Sequence, residues 1–348
     1  MTDQGINRYG SSAQVGSTSD DGSLFRSFPD FESAWLYCLR ATRWQPEFEN
    51  SPRGFRSREN IGVSYRIQDA RERAVRSRSR RSNLVFNFAE VLWYLRGSCA
   101  LDEIAFYAPR IARYSSDGRT LCGTAYGPRI FRSGSAALDQ WQQVVDTLGT
   151  DSDSKRAVLQ IFAPEELLDR SNVDVACTLS LQYLIREGAL HSVAYMRAND
   201  AYVGSVSDVF SFTFMQELMA TELCVDVGSY THFAGSYHLY LVDEDRADSV
   251  LATPDDRVSE ARFPAMPRGD NWPLLWEVQS IEHRIRTSGL APSQFDIDGM
   301  GLGEYWSAVV TLFALFGRFK TKGTIDAELV DSLPPLFAAM FKNCFVQK

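Results

Sequence analysis

The region between residues 174 and 240 places a cysteine, an arginine, carboxylates and a histidine among apolar residues. Cys177 begins a strand-like segment, and Arg197 lies on the next such segment. An antiparallel pair would bring the guanidinium beside the thiol, and a neighbouring cation lowers a thiol's pKa. The thiolate is a nucleophile, so this pair predicts covalent catalysis. The alternative is a buried structural thiol, the commoner role of an isolated cysteine.

Two further residues are candidates for proton transfer or substrate binding. Glu90 lies in the segment FNFAEVLWYL, an otherwise apolar stretch with helical spacing. A carboxyl there needs a partner or a function, so it is either paired with a nearby arginine or takes part in chemistry. His238 alternates with apolar residues in GSYHLYL, and such a histidine is more often a hydrogen-bonded structural residue.

Composition limits the classes of function. The 348 residues carry a net charge of −8, which disfavours a function built on attraction to the phosphate backbone of nucleic acids. The basic run 71–81 lacks interleaved aromatic residues, so a phosphate-binding or surface role is favoured for it. Six scattered cysteines and four histidines without ligand spacing predict reduced thiols, no metal and a cytoplasmic location.

Hydrophobic periodicity predicts one α+β domain at 24–348, preceded by a flexible tail at 1–23. From the sequence we expect no membrane-spanning segment, because no apolar stretch is long enough to cross a bilayer, and no secretory leader. Helices are expected at 28–42, 84–97, 136–149 and 205–223, and three more near 272–288, 304–318 and 326–342 form a helical C-terminal addition. Strands are expected at 156–163, 177–185, 190–197 and 227–242.

Five motifs, in order, resemble the thymidylate synthase family. They are EVLWYLRG at 90–97, GTAYGPRI at 123–130, DSKRAV at 153–158, the long segment 176–204 and GSYHLYL at 235–241. The resemblance spans about residues 55–245 and implies the family's fold, a mixed sheet packed with helices. It also implies a pyrimidine nucleotide as substrate and 5,10-methylenetetrahydrofolate as co-substrate.

The resemblance implies roles for the catalytic residues. Cys177 matches the nucleophile that adds to C6 of the pyrimidine, after which C5 can attack a one-carbon unit. Glu90 matches the acid that exchanges protons at the far side of the ring. Tyr126 matches the tyrosine near C5. Arg197 matches the arginine that binds the nucleotide phosphate beside the thiolate.

Further positions match the family's binding residues. Lys155 and Arg156 match the pair that reaches the phosphate of the neighbouring subunit, which implies a homodimer. Arg58 matches a further phosphate arginine, with Arg53 or Arg56 as alternatives.

The sugar and the folate have matching residues as well. His238 and Tyr240 match the residues that hold the sugar hydroxyl. Asp200 and Gly204 match positions at the folate side of the cleft.

Several departures from the family pattern change the expected reaction. Asp208 replaces the asparagine that reads uracil, and a carboxylate accepts the N4 amino group of cytosine but cannot donate to uracil O4. The alternative is a helix N-cap for 208–223. The family's tryptophan-rich segment has no counterpart in 108–118, so water is expected to reach the methylene intermediate.

The substrate-binding positions also depart from the pattern. Thr178, Ala176, Lys155 and Ala198 replace a histidine, a proline, an arginine and a phosphate-binding serine. Together, these changes lead us to expect a different placement of phosphate and sugar, with room for a ribose 2′-hydroxyl.

These departures predict a CMP 5-hydroxymethylase, similar to those of mildiomycin-type antibiotic pathways. The alternatives are a dCMP hydroxymethylase, a thymidylate synthase acting on dUMP, and a non-enzymatic nucleotide- or RNA-binding relative. The enzymatic interpretations require an active Cys177, and the binding interpretation does not. No membrane or nucleic-acid partner is expected.

Overall fold

The structure is a computed structural model that describes residues 26–346, so the tail predicted at 1–23 lies outside the described residues. Within this range, seven strands form one mixed sheet with helices packed on it, the expected α+β architecture. The strands are β1 (Ser27–Phe28), β2 (Phe48–Asn50), β3 (Ser57–Ile67), β4 (Val158–Gln160), β5 (Thr178–Arg186), β6 (Ala189–Asp200) and β7 (Asp226–Tyr240).

The helices occupy the connections and the C-terminal part. The first seven are α1 (Phe31–Trp44), α2 (Leu84–Leu95), α3 (Leu101–Ala105), α4 (Gly127–Phe131), α5 (Gln140–Thr150), α6 (Gly204–Glu222) and α7 (Glu244–Ala252). The C-terminal five are α8 (Trp272–Ser288), α9 (Gln294–Gly299), α10 (Gly303–Lys322), α11 (Ala327–Asp331) and α12 (Pro335–Phe345).

The sheet order is β1-β3-β7-β6-β5-β4, with β2 paired to β3. β5 and β6 are antiparallel, while β6 and β7 are parallel and joined through α6. Because β6 and β7 run in the same direction, the ends of both strands, near Asp200 and His238, meet at one edge. These strand ends lie beside the start of α6, and the candidate site is at this end of the sheet.

Local sequence signals explain the best-predicted helices. The Asp30 side chain accepts from the Ser33 N–H at 2.7 Å and caps α1, as expected. Asn83 caps α2 in the same way, by accepting from Phe86 N–H at 3.0 Å. The helix ends before Gly97, whose φ of 68° is a left-handed conformation that glycine adopts without strain.

Four predictions need correction. The mixed, Arg-rich segment 50–82 contains the long strand β3, which was missed because its polar side chains are paired across the sheet. The strand predicted at 156–163 is shorter and consists of β4 alone. The helix predicted at 136–149 begins only at Gln140, because Asp139 is its N-cap. The helix predicted at 326–342 is two helices, α11 and α12, because Pro334 and Pro335 interrupt it.

The C-terminal helices share a continuous hydrophobic core with the rest of the described chain. They support the back of α2: the Phe88 ring meets the Phe337 ring of α12 at 5.6 Å. On the far side, Phe88 meets Phe210 of α6 at 5.1 Å. The C-terminal addition therefore holds α2 against α6, and these two helices carry the carboxyls of the site.

The basic run 71–81 is bonded within the chain, which corrects the expected phosphate-binding role, while Arg78 and Arg81 are exposed at the surface. All six of its arginines have partners within the chain. Arg71 and Arg73 both bond to Glu217, and Arg73 is 1% exposed. The others bond to Glu72, Asp256, the Tyr202 carbonyl, and the carbonyls of Asn343 and Cys344. This run is therefore a structural crosslink between distant segments.

Candidate active site

The structure brings Cys177 and Arg197 together as the sequence predicts. The Arg197 N–H donates to the Cys177 carbonyl at 2.9 Å in the antiparallel β5–β6 pair. The guanidinium donates to the carbonyls of Ala176 and Val175 at 2.8 and 2.9 Å, and its Nη2 lies 3.8 Å from the Cys177 Sγ. The main chain around the thiol thus fixes the position of the positive charge.

The net effect on the thiol differs from the expectation. Burial raises the pKa of Cys177 to about 11, Arg197 lowers it, and Asp208 raises it. Burial outweighs the neighbouring cation, so in the free protein the thiol is neutral at physiological pH. The geometry expected from the sequence is therefore present, but it does not by itself ionise the thiol.

Tyr126 lies close to Cys177. Its hydroxyl accepts a hydrogen bond from the Thr178 Oγ1 at 3.0 Å, and its ring stacks on Tyr94 at 4.8 Å. Burial raises the pKa of the Tyr126 phenol well above its usual value, with contributions from Asp208 and Cys177. The phenol therefore stays protonated and neutral next to Cys177.

The loop that leads to Tyr126 is anchored by a residue that the sequence analysis missed. The Asp174 carboxylate accepts from the backbone N–H groups of Cys122, Gly123 and Thr124 at 2.7, 3.0 and 2.8 Å. A Cβ on Gly123 would lie 2.0 Å from the Asp174 carbonyl oxygen, so only glycine fits there. Asp174 lies shortly before Cys177 in sequence. This proximity to the candidate nucleophile was the one sequence signal that could have pointed to Asp174.

Glu90 takes no part in an ion pair within residues 26–346, so the alternative of a salt bridge is excluded there. The carboxyl is 5% exposed and accepts from the Ser211 Oγ at 3.3 Å. Burial and, to a lesser extent, the neighbouring Asp208 carboxyl raise its pKa to about 8. At neutral pH Glu90 is therefore mostly a protonated acid that can donate or accept a proton.

Asp208 lies inside α6 rather than before it, so the N-cap alternative is wrong. Its Oδ2 accepts from the Asn199 Nδ2 at 2.7 Å. Burial raises its pKa to about 7, Asn199 lowers it, and Asp200 raises it. Asn199 is 2% exposed and was missed by the sequence analysis, which treated it as a spacer between matched positions.

The predicted sugar and folate positions cluster at the ends of β6 and β7. His238 pairs in register with Asp200, and its ring meets Tyr240 at 5.0 Å. Asp200 Oδ1 accepts from the N–H groups of Tyr202 and Val203, at 2.8 and 3.0 Å, and so shapes the turn into α6. Burial lowers the pKa of His238 and raises that of Asp200.

Two small residues complete this edge of the cleft. Ala198 is half-buried and pairs in register with Ser236. A Cβ on Gly204 would lie 3.4 Å from the Asp208 Oδ2 and 3.6 Å from the Asn199 Nδ2. Gly204 therefore borders the Asn199–Asp208 pair as well as the predicted folate side.

Among the alternatives for the additional phosphate arginine, the geometry favours Arg53. Arg58 is bonded to Glu244 and lies 3.5 Å from Glu49, so its charge is already paired. Arg53 donates to the Val173 carbonyl at 3.2 Å, and its charge lowers the pKa of both Cys177 and Tyr240.

The two basic residues predicted to serve a neighbouring subunit lie elsewhere. Lys155 and Arg156 are exposed just before β4, on the outer edge of the sheet. Within residues 26–346, neither side chain makes a contact that brings it toward Cys177.

Comparison with known proteins now identifies the fold. Residues 48–266 match the profile of the family described as thymidylate synthase. The chain belongs to the thymidylate synthase family. Membership accounts for the mixed sheet packed with helices.

The relatives of this thymidylate synthase family member include phage proteins. A deoxyuridylate hydroxymethyltransferase of Bacillus phage SP01 is 33% identical over 205 residues, covering 56% of this chain and 53% of the relative. A deoxyuridylate hydroxymethyltransferase of Delftia phage PhiW-14 is 32% identical over 203 residues, covering 54% of this chain and 55% of the relative. The chain thus spans about half the length of the curated relatives it matches.

The described part of the chain was also searched for membrane-spanning helices and metal-ligating clusters. No helix in residues 26–346 combines the length and apolarity needed to cross a membrane. The same residues contain no group of three or more side chains arranged to ligate a metal ion.

Proposed function

We propose that this protein is a folate-dependent hydroxymethyltransferase that converts CMP to 5-hydroxymethyl-CMP. The observation that carries the proposal is Asp208, a carboxyl in place of an amide, held beside Glu90 in the cleft that contains Cys177. A carboxylate accepts a hydrogen bond from the cytosine N4 amino group, whereas its lone pairs face those of O4 in uracil.

In the proposed mechanism the Cys177 thiolate adds to C6 of the base, and the electron pair that develops at C5 forms a bond to a one-carbon unit. 5,10-Methylenetetrahydrofolate supplies that unit when bound. Glu90 exchanges a proton at the far side of the ring, and Tyr126 lies where the C5 proton leaves. After tetrahydrofolate departs, water adds to the exocyclic methylene, and elimination of the thiolate restores the aromatic base.

Arg197 has two roles in this scheme. Its guanidinium is held 3.8 Å from the Cys177 Sγ, where it stabilises negative charge on sulfur. It is also exposed to the cleft, so it can bind the nucleotide phosphate. With Arg53, it provides the cationic side of the nucleotide site.

The preference for ribose is supported by Ala198. Where family members resembling this segment have a phosphate-binding serine, this chain has an alanine without a hydroxyl, paired in register with Ser236. An Ala198→Ser variant should therefore lose kcat/KM for CMP relative to dCMP. A dCMP hydroxymethylase is the alternative if the wild type already prefers dCMP.

A second candidate is hydroxymethylation of dUMP, because the phage relatives are named for that substrate. Asp208 permits it in part, since its pKa of about 7 leaves a protonated fraction that can donate to O4. A thymidylate synthase that makes dTMP from dUMP has weaker support, because the phage relatives are named as hydroxymethyltransferases. A nucleic-acid-binding relative is disfavoured, because the arginines at 71–81 are bonded internally.

We further propose that the protein is a homodimer in which Lys155 and Arg156 reach the phosphate of the partner's site. Both side chains are exposed on the single chain. The sheet also carries the stacked rings of Tyr195 and Phe233, 5.5 Å apart and only partly buried. Mixing an Arg156→Ala variant with a Cys177→Ala variant should restore activity, because mixed dimers contain one complete site; no recovery would oppose this arrangement.

The reaction is tested by mass spectrometry of products from the purified protein, 5,10-methylenetetrahydrofolate, and CMP, dCMP or dUMP in separate reactions. The expected result is the mass of an added hydroxymethyl group on CMP, absent with Cys177→Ala. A hydroxymethyl group added mainly to dUMP would show that the base is uracil and not cytosine. A methyl group on dUMP with formation of dihydrofolate would identify a thymidylate synthase. Binding of nucleotides without any turnover, unchanged in Cys177→Ala, would favour the non-enzymatic interpretation.

A further inference from the structure

Asn199 and Asp208 form a hydrogen-bonded pair at the base-reading end of the site. The Asn199 Nδ2 donates to the Asp208 Oδ2 at 2.7 Å, from the end of β6 to the second turn of α6. We infer that Asn199 is a specificity-determining residue, which holds Asp208 as a hydrogen-bond acceptor for the N4 amino group of cytosine. The inference rests on the proposed function, since it concerns how the same site reads its base.

The amide of Asn199 has no evident structural duty. The residue is 2% exposed, and its Oδ1 has no hydrogen-bond partner among the described residues. Buried side-chain amides that hold a fold generally satisfy both ends, because an unpaired buried oxygen costs free energy. The one hydrogen bond that this side chain makes within residues 26–346 goes to Asp208, so its effect falls on that carboxyl.

The effect follows from what each protonation state can bind. An ionised Asp208 can only accept, which suits the N4 amino group of cytosine. A protonated Asp208 can donate and accept, so it can pair with O4 and N3–H of uracil as an asparagine would. Donation from Asn199 favours the ionised form, and it thereby favours cytosine.

The surroundings of Asp208 otherwise oppose ionisation. Its neighbours from the other packed elements are acids, phenols and a thiol, none of them a cation: Glu90 and Tyr94 of α2, Tyr126, Cys177, Asp200 of β6 and Tyr230 of β7. Burial raises the pKa of Asp208, and the Asn199 hydrogen bond is the influence that lowers it. Loss of this amide would shift the equilibrium toward the protonated carboxyl.

The test compares bases at constant sugar. For wild type and Asn199→Leu, kcat and KM are measured with the pairs CMP and UMP, and dCMP and dUMP. The ratio of kcat/KM for cytosine over uracil should fall roughly tenfold or more in the variant, because one charge-assisted hydrogen bond is lost. Most of the change should appear in KM, and the dissociation constants of CMP and UMP without folate should show the same trend.

Two comparisons separate specificity from general damage. In an Asp208→Asn background, Asn199→Leu should leave the base ratio unchanged, since an amide has no ionised form to stabilise. In the wild type, the preference for cytosine should increase with pH around the Asp208 pKa of about 7, and this increase should move to higher pH in Asn199→Leu. Asn199→Ala provides a second variant if the leucine does not fold.

The outcomes distinguish this inference from the proposed function. A wild type that prefers cytosine, with variants that lose both bases equally or keep the original ratio, overturns the role of Asn199 alone. A wild type that prefers uracil overturns both the cytosine assignment and the inference. The role of Asn199 is established if Asn199→Leu selectively loses the cytosine preference and the same substitution has no such effect in the Asp208→Asn background.

Discussion

The hydroxyl of Thr178 donates a hydrogen bond to the phenolic oxygen of Tyr126 across 3.0 Å, and both residues are buried. Thr178 directly follows Cys177, the proposed nucleophile, in sequence. The hydrogen bond occupies an acceptor site of the phenol, so the phenol's own proton points away from Thr178. Thr178 thus orients the tyrosine proposed to lie where the C5 proton leaves.

Replacing Thr178 by valine should lower kcat roughly tenfold with little change in the nucleotide KM, equivalent to about 1.4 kcal/mol in the activation barrier. The physical reason is the loss of the donor, which leaves the phenol free to adopt unproductive orientations. Steady-state kinetics on the preferred nucleotide measures this. Thr178→Ser keeps the hydroxyl and should retain most of the activity, and a fully active valine variant would refute the role.

The Cys177 thiol should react slowly with iodoacetamide in the free protein, with a rate that keeps increasing through the alkaline range, because burial raises its pKa to about 11. Arg197→Leu should slow the reaction further, since it removes the charge that lowers this pKa. Alkylation is followed by mass spectrometry of the Cys177 peptide. The exposed Cys224 provides an internal reference that Arg197→Leu should not change.

The buried carboxyls Glu90 and Asp208 should make stability fall as pH rises. Burial raises their pKa values to about 8 and about 7, so between the ordinary carboxyl pKa of about 4 and these values the folded state holds protons that the unfolded state has lost. Their stabilisation is present at low pH and is lost as pH rises through the folded values.

The size of this effect is about 1.4 kcal/mol per pH unit for each group, and the two titrate as a coupled pair. Chemical denaturation across this pH range measures it. The double variant Glu90→Gln, Asp208→Asn should show a shallower dependence on pH. An equal slope in wild type and double variant would contradict the assignment of raised pKa values.

Asp174→Asn should destabilise the loop before Tyr126, at a cost of about 1–3 kcal/mol, because a single amide oxygen cannot replace a carboxylate that accepts from three backbone N–H groups. Activity should fall with stability, since this loop positions Tyr126. Thermal unfolding and kcat are the measurements. Asp169→Asn, at an exposed carboxyl that bonds within its own turn, is the matched control and should have little effect.

The local signals in the sequence predicted the elements that carry the site. Asp30 and Asn83 are side chains that cap helices in their own first turn, so the start of each helix is decided within a few residues. The adjacency of two strand-like segments was enough to predict that Cys177 and Arg197 face each other. Five short motifs in the family's order were enough to predict the family, because each motif is local in the chain.

Elements that depend on distant partners were not predictable. β3 contains Arg58 and Glu59, and nothing in its own sequence shows that Glu244 and Asn50 pair with them. The arginines of 71–81 looked free because Glu217, which binds two of them, lies far away in sequence. In both cases a polar segment is structured because a complementary charge arrives from elsewhere in the chain.

Short-range periodicity, caps and motif spacing were enough to predict the fold class, the approximate positions of the major helices and Cys177 as the candidate nucleophile. The protonation state of the candidate reactive groups depends on the folded core. The tertiary structure buried Cys177 so that its thiol is neutral, left Glu90 without a cation, and placed Asn199 against Asp208. Burial and pairing set the free energy of each charge, and both are properties of the assembled core rather than of any segment.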